Sequence, residues 1–193
     1  DRAQNVATFT DTIILDSNSP SGSITINNGT TYTASLDVTL NLTASDAISG
    51  LDVMRFSTDQ GLTWTAWEAI ANVKSLTLPP GDSLFKQVQY QLRDQAGLIS
   101  MFSDTIILDT ISPAGSILIN NGAAYATSLN AILTLTASDV TSGVDARRFS
   151  TDGGVTWSAW EAFAATKSLT LPTGDGAKEV QYQLRDFAGN IST

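Results

Sequence analysis

Val88-Gln-Tyr-Gln-Leu-Arg-Asp-Gln-Ala-Gly-Leu-Ile-Ser-Met-Phe-Ser-Asp-Thr-Ile-Ile-Leu-Asp109 is the stretch on which the fold turns. Val88, Tyr90 and Leu92 alternate with Gln89, Gln91 and Arg93, the period of a strand with one buried and one wet face. Asp94-Gln-Ala-Gly97 breaks that alternation and turns the chain, and the β-branched run Asp104 to Asp109 reads as the returning strand. Residues 1–16 contain the turn and the returning strand without the outgoing one, ending in Asp11-Thr-Ile-Ile-Leu-Asp16. Val180 to Thr193 contains the outgoing strand and the turn without the return.

Working outward, the same hexapeptide at Asp11 and at Asp104 defines an internal repeat with an offset of 93 residues. Roughly two-thirds of the aligned positions are identical, as in tandem modules duplicated recently. So long a period is too large for a propeller blade or a solenoid turn and fits one small sandwich per repeat. The 193 residues are 42% hydrophobic, enough for a core in at most two ordinary domains. A net charge of −9 disfavours nucleic acid and anionic membranes as partners, since both require Lys and Arg clusters. With no Cys and no His, disulfides, thiol chemistry, imidazole bases and the common zinc sites are excluded together. No run is long enough to span a membrane and no basic-then-apolar leader opens the sequence, so for an exported protein the signal is expected to lie outside this segment or to have been removed.

Seven strands are expected per repeat. In the first they are Ser23 to Ile26, Val38 to Ala44, a strand ending at Phe56 and Ser57, a hairpin return over Thr63 to Ile70, Lys74 to Leu78, the Val88 strand and the Asp104 strand. Asn27-Asn-Gly29, Asp59-Gln-Gly61 and Pro79-Pro-Gly-Asp82 supply turns. The expected class is all-β: two tandem seven-stranded Ig-like sandwiches, the second lacking its last strand, preceded by an orphan strand. The expected boundaries are 1–16 for a strand belonging to a preceding or neighbouring module, 17–109 for the first repeat and 110–193 for the second.

Tyr90-Gln-Leu-Arg-Asp-Gln-Ala-Gly97 and Tyr182-Gln-Leu-Arg-Asp-Phe-Ala-Gly-Asn190 resemble the Tyr-x-x-x-Asp-x-Ala-Gly-Asn ending of bacterial Ig-like (fibronectin- or immunoglobulin-type) repeats. That resemblance covers the whole chain and implies a fold and a setting on large surface or secreted proteins, not an activity. Leu98 departs from the motif where Asn is expected, and Gln4 where Gly is expected. Ser57-Thr-Asp-Gln-Gly-Leu-Thr-Trp64 and Ser150-Thr-Asp-Gly-Gly-Val-Thr-Trp157 look like the Asp-box of sialidases and other propellers. What that likeness implies is a structural hairpin, in which Asp59 and Asp152 hold turn amides while Trp64 and Trp157 pack locally. The arginine cluster, tyrosine pair and multiple blades of a sialidase are not there.

Other candidates each have a structural counter-reading. Asp46, Asp52 and Asp94, with Asp139, Asp145 and Asp186 in the second copy, could ligate calcium, but single Asp residues in such turns usually cap their own backbone. Neither a metal nor a cofactor is therefore expected. Trp67 and Trp160 could join Trp64 and Trp157 as a sugar-stacking platform, although core or edge packing is the preferred reading. One strand carboxylate per repeat, Glu68 and Glu161, does not make the facing pair of a glycosidase. Asn28, Asn41 and Asn190 begin N-glycosylation acceptor patterns that chance accounts for.

The sequence thus points away from an enzyme and towards a structural, extracellular or cell-surface stalk, sheath or filament. Its expected assembly strand, Phe9, Thr12, Ile13, Ile14 and Leu15, completes a neighbouring module head-to-tail by strand donation. Self or adjacent repeats are the expected partners, with no nucleic acid and no membrane insertion. The alternative is a carbohydrate-binding or adhesin module of a larger secreted protein, with a surface glycan as its partner.

Overall fold

The computed structural model describes residues 2–192, apart from the side chains of Ser83 and Leu84; Asp1 and Thr193, the outer limits of the expected first and last segments, lie outside the described residues. Among the described residues the elements are strands and two 3-10 turns, Asn27–Gly29 and Asn120–Gly122. In chain order the strands are β1 Ser21–Ile26, β2 Tyr32–Thr33, β3 Asp37–Ser45, β4 Leu51–Ser57, β5 Glu68–Ala69, β6 Val73–Thr77, β7 Ser83–Asp94 and β8 Ile99–Leu108. The second repeat supplies β9 Ala114–Ile119, β10 Asn130–Ser138, β11 Val144–Ser150, β12 Glu161–Ala162, β13 Thr166–Thr170 and β14 Gln181–Asp186. Among the described residues they form four sheets, in the orders β1-β3-β6, β2-β8-β7-β4-β5, β9-β10-β13 and β12-β11-β14. Among the described residues no helix is long and apolar enough to cross a membrane.

The chain divides into two compact units. The first comprises residues 1–25, 40–74 and 87–104. Here β4 runs antiparallel to β7 with Phe56 opposite Tyr90, and their rings stack at 5.4 Å. The second unit comprises residues 26–39, 75–86 and 105–193. In it β11 pairs with β14 in the same register, with Phe149 opposite Tyr182 at 5.6 Å. Alternation dictates the buried face: Ala131, Leu133 and Leu135 of β10 meet Phe149 of β11 together with Leu171 and Val180, so two sheets close face to face over one core. Gly115 marks how tightly β9 is packed, because a Cβ there would lie 2.4 Å from the Thr136 carbonyl and 2.7 Å from Leu184 Cδ1.

The strands depart from the sequence reading in three places. The expected return over Thr63 to Ile70 shrinks to Glu68–Ala69, because the turn that follows β4 takes residues 58–63 and residues 64–67 join no strand. Tyr32–Thr33 adds a short strand parallel to β8, with Tyr32 opposite Ile107. The last strand of the first repeat begins at Ile99 rather than Asp104, so its hairpin is tighter than expected. Residues 4–20 form no strand. Phe9, Ile13, Ile14 and Leu15 are 92%, 96%, 78% and 85% exposed, and Thr12 is exposed with them. Among the described residues the counterpart of β8 is reduced to a single antiparallel bridge between Arg185 and Ile191, and Tyr125, which corresponds to Tyr32, is 93% exposed and lies outside any strand.

Candidate functional site

After β4, Ser57 and Asp59 build a closed turn. Asp59 Oδ1 accepts from the Ser57 hydroxyl at 2.7 Å and from the Thr63 amide at 2.9 Å, and Oδ2 accepts from the Thr63 hydroxyl. Trp64 donates its indole N–H to the Gly61 carbonyl at 3.1 Å. Gln60 and Gly61 have φ of 61° and 85°, a left-handed pair that in the second repeat is Gly153 and Gly154. Asp152 repeats the pattern with Ser150 and Thr156, and Trp157 donates to the Gly154 carbonyl. In each turn the threonine hydroxyl, then its amide, then the serine hydroxyl hold the Asp carboxyl down at about 2. The turn is therefore a carboxylate-centred clasp, charged at neutral pH and occupied by its own backbone.

Beside each clasp runs a ladder of indoles and guanidiniums. Arg55 lies 4.8 Å from the Trp64 ring and 4.2 Å from Trp67, and Arg93 lies 4.9 Å from Trp67. Gln91 orients Arg55, and Asp52 holds Arg93 through a 2.7 Å ion pair. Arg148 over Trp157 and Trp160, and Arg185 over Trp160, reproduce the ladder, with Asp145 holding Arg185. Cationic stacking therefore covers ring faces that a sugar would otherwise use. Glu68 is bonded to Lys74, and Glu161 to Lys167 and Arg147, which makes both ion-pair partners within their own repeat.

The carboxylates gather differently from the sequence expectation. Asp16, Asp46 and Asp94 bring one oxygen each within 4.8 Å of one another, as do Asp109, Asp139 and Asp186. Asp52 and Asp145 are absent from these groups because Arg93 and Arg185 hold them elsewhere. Asp46 Oδ1 caps its own loop, accepting from the amides of Ile48 and Gly50 at 3.2 and 2.7 Å. Asp16 accepts from the amides of Asn18 and Ser49, both at 3.0 Å. Hydrogen bonding from Ser49, followed by the Asn18 amide, holds the Asp16 carboxyl below its ordinary value. Asp94 is 1% exposed; its Oδ1 accepts from the Leu98 amide at 2.8 Å, and its Oδ2 is buried without a hydrogen-bond partner.

In the second group the equivalent oxygen is satisfied. Asn190 donates its side-chain amide to Asp186 Oδ2 at 2.9 Å and to the Asp109 carbonyl at 2.9 Å. Asp109 Oδ2 accepts from the Ser142 amide, and Asp139 Oδ1 from those of Ser142 and Gly143.

Comparison with known proteins picks out the clasps. The BNR/Asp-box repeat model matches residues 55–66 and 148–159. Both matches stop at the hairpins, so what is shown is a β protein carrying two Asp-box repeats. Among solved structures, the chain is similar to a carbohydrate-binding module of the β-sandwich superfamily at 14% identity and a TM-score of 0.42, covering 92% of this chain and 96% of that one. It is also similar to the tetra-tandem repeat in the extending region of a large adhesion protein at 19% identity and a TM-score of 0.28, covering 92% of this chain but only 48% of that one. No curated protein matches.

Three participants carry no mark in the sequence reading. Asp16 and Asp109 read there as strand ends, yet each closes a carboxylate group far away in sequence; the Leu-Asp that ends both copies of the hexapeptide is the available signal. Arg147 stands where the first repeat has Met54, is 4% exposed, and is bonded to Glu161 and to the Ala164 and Thr166 carbonyls. With Met54 in that place, Glu68 Oε1 is left buried without a hydrogen-bond partner. Only the alignment of the two copies exposes that exchange.

Proposed function

We propose that this chain is a non-catalytic structural repeat of an extracellular stalk, sheath or filament, its modules joined head-to-tail by the strand containing Thr12 to Leu15. One observation carries the reading: a single sequence has two fates. In β8, Ile106 and Leu108 are 1% and 0% exposed, whereas Ile13 and Leu15 of the identical hexapeptide are 96% and 85% exposed. The same comparison supports a receiving surface on the second repeat. Ile24, Ile26 and Tyr90 are buried at 6%, 0% and 0%, while their counterparts Ile117, Ile119 and Tyr182 are only partly buried. Beyond the Arg185–Ile191 bridge β14 lies at a sheet edge, whereas β7, its counterpart, is flanked by β8. An apolar edge of this kind is stabilised by an added strand whose backbone pairs and whose alternate side chains fill the groove.

The clasps and ladders serve this role by stiffening each repeat with local bonds. A glycan-binding module is the second reading, favoured by the partly exposed Trp64, Trp67, Trp157 and Trp160; a sugar would have to take ring faces left open by the arginines.

Sedimentation over a concentration series, combined with hydrogen exchange, tests the assembly. The wild-type chain should associate as its concentration rises, with the amides of residues 9–15 and 176–182 gaining protection together, since the Arg185–Ile191 bridge sets that register. Ile13→Asp with Leu15→Asp should remain monomeric. A wild-type chain that stays monomeric to about 1 mM, with residues 9–15 unprotected, would refute strand exchange between copies.

A further inference from the structure

We infer that the Asp16, Asp46 and Asp94 group is a divalent-cation site selective for calcium, and that the Asp109, Asp139 and Asp186 group is its self-occupied counterpart. The two groups serve as controls for each other inside one molecule. Both hold three carboxylate oxygens within 4.8 Å, and in both a loop amide reaches the acid that opens the loop, Gly50 to Asp46 Oδ1 and Gly143 to Asp139 Oδ1. One difference between them is a side-chain amide that reaches the acids. Asn190 points its amide nitrogen at Asp186 Oδ2 and the Asp109 carbonyl, placing a partial positive charge among the acids. The aligned residue in the first repeat is Leu98, which has no side-chain donor to offer, and Asp94 Oδ2 is buried and unbonded.

An ionised carboxylate oxygen removed from water and left without a donor is a costly arrangement unless a cation supplies the missing charge. None of the three acids is ion-paired to Lys or Arg among the described residues; the nearest guanidinium in sequence, that of Arg93, is bonded to Asp52. A hard cation with flexible coordination suits oxygen donors carried on loops, and several carboxylates with backbone or water oxygens make up such a shell. Magnesium demands stricter geometry and a smaller cage, so calcium is favoured. The loop 46–50 is already fixed by the Asp46 cap, in which Oδ1 takes the amides of Ile48 and Gly50.

Equilibrium binding of calcium chloride to the chelator-stripped chain, followed by calorimetry, tests the inference, with magnesium chloride as the comparison. One calcium equivalent per chain is expected, at a dissociation constant on the order of 0.1–1 mM, as in extracellular modules. Asp94→Asn should weaken binding at least tenfold. Leu98→Asn, which installs the side chain that the second repeat already tolerates, should do the same while leaving the tryptophan fluorescence of the folded chain unchanged. Absence of calcium binding at about 10 mM, a second equivalent of equal affinity, or undiminished affinity in folded Leu98→Asn protein would each overturn it.

Discussion

Ile106→Ala and Ile13→Ala make the same chemical change in two copies of one hexapeptide, and the structure assigns them very different costs. Ile106 is 1% exposed within β8, so truncation removes a fully buried side chain and leaves a cavity. Buried Ile-to-Ala changes cost about 2–5 kcal/mol. For a chain of this length that lowers the melting temperature by roughly 5–15 °C. Ile13 is 96% exposed, and truncation there should stay within about 0.5 kcal/mol. Calorimetry at low micromolar concentration, where association is suppressed, measures both. Urea unfolding followed by tryptophan fluorescence checks that the slope is unchanged, so that the shift reports stability. An equal loss for the two variants in dilute solution would mean that the leading segment folds into its own chain, which removes the free strand on which the proposed assembly rests. A loss below about 1 kcal/mol for Ile106→Ala would refute the core placement of β8.

Two further outcomes are expected. Gly115→Ala should lower stability by about 1–3 kcal/mol, since the added methyl meets a backbone carbonyl that cannot rotate away, and thermal unfolding reads the loss directly. Asp59 and Asp152 have folded values near 2 against an ordinary 3.8, so their contribution is fully present above about pH 4 and is lost as the pH falls through about 2. Near-ultraviolet circular dichroism should therefore show tryptophan loosening between those limits, and Asp59→Asn with Asp152→Asn should remove that step.

Much of the architecture is legible along the chain because it is written in short-range periodicities. Val38, Leu40 and Leu42 alternate with wetter neighbours and are buried at 3%, 0% and 4%, as a period of two requires. The turn chemistry of Asp59 and Gly61 is equally local, with its hydrogen bonds spanning at most four residues. The hairpin return reads as too long because Thr63 to Ile70 contains good strand formers, while the indole bond to Gly61 holds the start of that stretch in the turn.

By itself, the amino-acid sequence determined the all-β class, the duplicated unit, most strand positions and the Asp-box clasps, since each depends on side-chain alternation or on residues a few positions apart. Only the tertiary structure decided which acids meet. Asp52 and Asp46 look interchangeable along the chain, but strand register sets Arg93 against Asp52 and loop closure turns Asp46 towards Asp16 and Asp94. It also decided that one Ile-Ile-Leu is core and the other solvent-facing, because burial is a property of what lies opposite a strand and identical residues have no say in it.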